Sequence, residues 1–94
     1  MRRQRKAAFC FPGGYRWCGP GCSGPGEPIN DVDAICKEHD LCYRRTGDRC
    51  KCDQAFLEQM QLKIDPTTVK GRHARTMYHY MRYQSLFTCG FRKM

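Results

Sequence analysis

Ninety-four residues carry a formal net charge of +8, with 17 Lys and Arg against 9 Asp and Glu, and include eight cysteines. A chain this short builds one domain whose apolar core is marginal without cross-links, and an even, dense set of cysteines reads as a disulfide framework in an oxidising compartment. The spacings Cys18-x3-Cys22, Cys36-x5-Cys42 and Cys50-x-Cys52 form no convincing zinc knuckle, no apolar run reaches transmembrane length, and no nucleic-acid-binding motif accompanies the basic charge.

The charge is unevenly spread. Residues 1–26 hold five cations and no anion, residues 27–58 hold five cations against eight anions, and residues 59–94 hold seven cations against Asp65. A mildly acidic centre between basic arms suits a cation or catalytic site facing an anionic surface. Residues 1–8 read as a flexible basic arm. Arg2 to Lys6 could serve as the charged start of an export signal, but no apolar segment follows.

From Phe9 to Pro28 the chain interleaves Phe9, Phe11, Tyr15 and Trp17 with glycines and prolines, which excludes a helix. A loop pinned by Cys10, Cys18 and Cys22 is expected there, its aromatics serving either an interfacial surface or a small core. Asn30 or Asp31 then caps a first helix, from about Asp31 to Arg45, on which Cys36, His39 and Tyr43 share a face with Asp40 one position round. Thr46-Gly47-Asp48 is a short turn, with Gly47 suited to the left-handed position after a helix. A second helix, from about Asp48 to Ile64, carries the stripe Cys52, Phe56, Met60, Ile64 and packs antiparallel on the first. Asp65-Pro66 stops it, and Thr67 to Gly71 reads as a linker. A third helix over Arg72 to Phe87 places Met77, Tyr80, Met81 and Gln84 at helical spacing, its methionines and tyrosines assigned first to the core. Cys89 ties the tail, and no period-2 strand pattern appears.

Three pieces carry chemistry. In Trp17-Cys18-Gly19-Pro20-Gly21 the glycines let backbone carbonyls converge, as a hard cation requires, and Asp40 offers a carboxylate beside them. An oxygen-only donor set points to calcium. Asp53, in Cys50-Lys51-Cys52-Asp53, opens the second helix and can face back to His39, leaving the other imidazole nitrogen as a base for water.

Aromatic-C-G-x-G, then C-x-x-H-D-x-C-Y, then C-x-C-D, in order within residues 17–53, resemble the secreted phospholipase A2 family. The G-P-G loop and Gly26-Glu27-Pro28 look most like its short viral and microbial branches. The resemblance implies a mainly α, disulfide-rich fold: a calcium loop, two antiparallel disulfide-linked helices and a third C-terminal helix, with no substantial sheet. It implies a single phospholipase A2-like domain over 1–94, secreted and monomeric, hydrolysing the sn-2 ester of glycerophospholipids to lysophospholipid and free fatty acid. His39 resembles the base, Asp53 the partner that orients it, and Tyr43 the tyrosine bonded to that carboxylate. Asp40 and the carbonyls of Trp17, Gly19 and Gly21 resemble the Ca2+ ligands, and the Gly19 N–H the oxyanion donor. The implied partner is an anionic phospholipid membrane surface, with no nucleic acid. The alternative is a catalytically silent, basic membrane-binding or toxin-like relative.

The same resemblance implies bridges Cys18–Cys36 and Cys42–Cys52, leaving three pairings open for Cys10, Cys22, Cys50 and Cys89. Ile35 and Gln59 stand where relatives have a further bridge, the segment from Tyr43 to Cys50 is too short for the β-wing of larger relatives, and their long N-terminal amphipathic helix is missing. A tyrosine that relatives place near that wing, also touching the dyad carboxylate, has no assigned counterpart; Tyr78, Tyr80 or Tyr83 are its candidates.

Overall fold

In the computed structural model, residues 9–90 are described, so the basic arm expected at 1–8 and the last four residues lie outside them. Three helices follow an irregular, cross-linked loop: α1 (Asp31–Thr46), α2 (Arg49–Gln61) and α3 (Val69–Cys89). The only pairing of extended backbone among the described residues is an isolated parallel bridge between Phe9 and Gly21. The expected mainly α, disulfide-rich architecture is what forms.

Local chemistry sets the helix ends. Asn30 caps α1, its side chain accepting from the Asp33 N–H at 2.8 Å, and Gly47 closes α1 at φ 72° with its N–H on the Tyr43 carbonyl. Asp48 caps α2 through the Lys51 N–H rather than belonging to it. Helix α2 stops at Gln61, short of the expected Ile64, because residues 62–64 turn onto the carbonyls of Gln59, Met60 and Gln61 before Pro66 is reached. Helix α3 starts earlier than expected, at Val69. Thr68 caps it by accepting from the Gly71 N–H, while Asp65 accepts from Thr67, so the supposed linker is a capping turn.

The core lies where the loop and the three helices meet. Tyr15, Val32, Ile35, Phe56, Met60, Ala74, Met77 and Met81 are buried, and Phe11, Trp17, Ile64 and Tyr78 pack against them. The aromatics of the loop thus divide: Tyr15 is core, Phe11 and Trp17 flank it, and Phe9 is exposed. The expectation of a core role for α3 holds for Met77 and Met81 and fails for Tyr80 and Tyr83, which are more than half exposed. So small a core cannot cover every aromatic of a 21-residue helix.

All eight cysteines are paired, which removes the zinc reading. Cys18–Cys36 ties the loop to α1 and Cys42–Cys52 ties α1 to α2, both as the resemblance implied. The four cysteines left open resolve into Cys10–Cys22, within the loop, and Cys50–Cys89, which fastens the end of α3 to the start of α2. Ile35 and Gln59 line a common groove between α1 and α2, where apolar and amide side chains stand instead of a bridge.

Candidate active site

The antiparallel packing of α1 on α2 brings His39 onto Asp53. His39 Nε2 lies 2.7 Å from Asp53 Oδ1, and the Tyr43 hydroxyl donates to the same oxygen at 2.5 Å. Asp53 is completely buried, and burying a carboxylate is costly unless donors surround it. An ionised carboxylate only accepts, so Nε2 carries the imidazole proton and Nδ1 presents its lone pair. The ring is wedged edge-on against Phe56, with centroids 5.0 Å apart, and tilted against Tyr43 at 4.4 Å. Burial, and then the hydrogen bond to Asp53, push the Tyr43 phenol well above the ordinary tyrosine range. Tyr43 therefore stays a donor at any working pH.

Two further contacts come from α3. Thr88 Oγ1 donates to Asp53 Oδ2 at 2.6 Å, and Gln84 Nε2 donates to the Tyr43 hydroxyl at 3.3 Å. The second hydroxyl donor to the carboxylate is thus a threonine, and none of Tyr78, Tyr80 and Tyr83 takes that place. Tyr80 and Tyr83 are more than half exposed, and the bridge Cys50–Cys89 brings the last turn of α3 to the dyad instead. No pattern in the sequence marks Thr88, because its partner is 35 residues away and the pairing of Cys89 was open.

The loop meets α1 through Asp33, a residue that motif reading passed over. Its fully buried carboxylate accepts four backbone N–H groups: Trp17 at 2.9 Å and Cys18 at 3.2 Å on Oδ1, Arg16 and Ile29 at 3.1 Å each on Oδ2. Its legible signal was only that of an acidic residue in the first turn of a helix. The loop carbonyls divide by what they accept. Those of Arg16, Cys18, Gly19 and Pro20 accept the N–H groups of Gly24, Phe11, Cys22 and Phe9, whereas those of Trp17 and Gly21 accept nothing among the described residues. Gly19 sits at φ 129°, and a Cβ there would lie 2.1 Å from the Phe9 carbonyl oxygen, so no other residue fits.

His39, Asp40, Trp17, Gly19 and Gly21 all line one cavity of about 410 Å³, with Phe9, Phe56, Met77 and Met81 among its apolar walls. No group of three acidic, His or Cys side chains among the described residues could hold a metal, so any cation site here must draw on backbone oxygen. The candidate donors are the Trp17 and Gly21 carbonyls without a hydrogen bond, the Gly19 carbonyl with its second lone pair beside the Cys22 N–H, and the Asp40 carboxylate, all hard oxygen ligands suited to Ca2+. Asp40 Oδ2 is taken by Arg44 at 3.3 Å, an exposed i,i+4 pair that a cation could displace at little cost.

The fold thus sets a His39–Asp53 pair, its carboxylate fully buried, on a cavity rimmed by a glycine loop, in a disulfide-rich helical domain. Residues 9–78 match the family model of the phospholipase A2-like domain, and the chain belongs to the secreted phospholipase A2 family. It is 45% identical over 42 residues to the acidic phospholipase A2 homolog taipoxin gamma chain of Oxyuranus scutellatus scutellatus, covering 45% of this chain and 26% of that one. It is 47% identical over 36 residues to the phospholipase A2 AP-PLA2-I of Acanthaster planci, covering 38% and 21%. To the capsid protein VP1 of Mink enteritis virus (strain Abashiri) it is 38% identical over 71 residues, covering 61% of this chain and 10% of that protein. The matched segments therefore span 26% or less of the length of these relatives. No solved structure matches it.

Proposed function

We propose that the chain is a calcium-dependent phospholipase A2 that hydrolyses the sn-2 ester of glycerophospholipids to lysophospholipid and free fatty acid. The observation that carries this reading is the shared cavity: His39 opens on the same space as the loop carbonyls and Asp40. His39 Nδ1 takes a proton from the water that attacks the ester carbonyl. Asp53, bonded to Nε2, orients the ring and stabilises the imidazolium, while Tyr43 holds the carboxylate. As the tetrahedral centre collapses, the imidazolium returns its proton to the departing glycerol oxygen, so no covalent enzyme intermediate forms. The Gly19 N–H donates to the developing oxyanion. Trp17, Gly19, Gly21 and Asp40 would hold Ca2+, which when bound supplies positive charge for the oxyanion and the substrate phosphate.

The substrate is taken from an anionic phospholipid surface by a secreted protein. Helix α3 contains Lys70, Arg72, Arg75 and Arg82 and no acidic residue, and exposes Tyr80, Tyr83 and Phe87, of which Tyr80 reaches the cavity. Aromatic rings beside cations suit the boundary between headgroups and acyl chains. No helix among the described residues is long and apolar enough to cross a membrane.

Release of fatty acid from phosphatidylglycerol vesicles tests the reading. Release is expected with calcium, in roughly the millimolar range of extracellular sites, and none in a chelator. Undiminished release in the chelator would remove calcium from the scheme. A folded protein inert in both arms, yet bound to the vesicles, would be the silent membrane-binding relative instead.

A further inference from the structure

Asp53 divides its two oxygens. Oδ1 serves His39 and Tyr43, both on α1, and Oδ2 is held by Thr88 at 2.6 Å, from the last turn of α3. Residue 53 is fully buried, so Oδ2 has no bulk water to turn to if that hydroxyl is lost. A threonine inside a helix usually returns its hydroxyl to the carbonyl one turn back; Thr88 reaches across to another helix. The neighbouring residue, Cys89, is bridged to Cys50, three residues before Asp53, so a covalent strap joins the two ends of this contact. Thr88 and Cys89 both lie beyond residues 9–78, the span of the family match.

We propose that Thr88 is a positioning residue of the dyad. Its hydroxyl fixes the rotation of the Asp53 carboxylate and so keeps Oδ1 turned to His39, with the Cys50–Cys89 bridge holding the last turn of α3 in place. Gln84, one turn earlier, extends the same support to the Tyr43 phenol. The catalytic geometry of this chain then depends on a helix end outside the segment that defines its family.

The effect on turnover rests on the phospholipase reading, so the experiment pairs it with a measurement that does not. Thr88→Val removes the hydroxyl at nearly constant shape, Thr88→Ala removes it with less steric demand, and Thr88→Ser keeps it. Loss of one charge-assisted hydrogen bond should lower kcat about 10-fold in the Val and Ala variants with KM little changed, and serine should recover most of it. In parallel, the His39 Nε2 proton resonance, read by NMR at one pH without calcium, should move in Val and Ala and stay near its wild-type position in Ser. An inert wild type would sink the hydrolase reading, and the resonance would still decide the role of Thr88. Wild-type kcat and an unmoved resonance in either hydroxyl-free variant that folds overturn the proposal. A serine variant as impaired as valine also overturns it, since the side-chain shape and not the hydroxyl would then matter.

Discussion

Replacing Asp33 by asparagine removes a negative charge from the point where the loop meets α1 and changes nothing else in size. The carboxylate accepts four backbone N–H groups, two on each oxygen. An amide offers one acceptor oxygen, so whichever way it turns, its NH2 faces two N–H donors. With Nδ2 at the Oδ1 position, Trp17 and Cys18 lose their acceptor; with Nδ2 at the Oδ2 position, Arg16 and Ile29 lose theirs. Hydrogen bonds to a charged group contribute about 1.5–3 kcal/mol each, and a buried unpaired donor costs about 1–3 kcal/mol. Against this, an amide is cheaper to bury than a carboxylate. The bridge Cys18–Cys36 also keeps the loop near α1 after the contact is lost. We expect a net loss of about 3 kcal/mol, a factor of roughly 150 in the folding equilibrium. Urea unfolding with the disulfides intact measures it directly. Calcium titration by calorimetry should show weakened binding as well, because the N–H groups of Trp17 and Cys18 anchor the loop that lines the cavity. An asparagine variant within about 0.5 kcal/mol of wild type would refute the loop-anchor reasoning, whatever its calcium affinity.

Other expectations follow from single residues. The Lys70 and Lys63 hydrogen bonds hold the Asp31 carboxyl down at about 2, so its stabilising contribution is full above the ordinary carboxylate value and is lost as pH falls through about 2. Asp31 is 44% exposed, and solvent screening keeps that contribution below about 1 kcal/mol. Asp31→Asn should therefore lower Tm slightly near neutral pH, less in high salt, and match wild type below about pH 2; a constant offset down to strong acid would point to capping instead. Gly19→Ala should cost about 2 kcal/mol or more, because its Cβ would lie 2.1 Å from the Phe9 carbonyl oxygen at φ 129°; an unchanged melting curve would contradict the close approach. Met60→Ala, at a fully buried position of α2 away from the cavity, should lower stability by about 2–5 kcal/mol and leave kcat of the folded fraction intact. His39→Gln should abolish fatty acid release while preserving the far-ultraviolet circular dichroism spectrum, and full activity in that variant would remove His39 as the base.

Local physics made much of this chain readable. The spacing of Val32, Ile35 and Cys36, the cap at Asn30 and the left-handed Gly47 mark α1 and the turn into α2 because each is decided within a turn of its own neighbours. The motif residues His39, Asp40, Tyr43 and Asp53 were legible for the same reason: helical spacing places them, and a short turn forces the two helices antiparallel. Gly19 and Gly21 marked a tight loop in the sequence, though not which of its carbonyls pair with Phe9 and Phe11. Contacts between residues distant in sequence left no such trace. Asp33 became the anchor of the loop only because the fold buries it beneath four N–H groups. Tyr80 and Tyr83 stay more than half exposed because Met77 and Met81 fill the little core there is. Thr88 reaches Asp53 only once Cys89 has chosen Cys50, a choice no spacing reveals. Most of the secondary structure and the His-Asp motif are local properties, and the sequence by itself determined them. What surrounds Asp53, and which face of α3 meets solvent, depended on how three helices compete for one small core, and only the tertiary structure decided it.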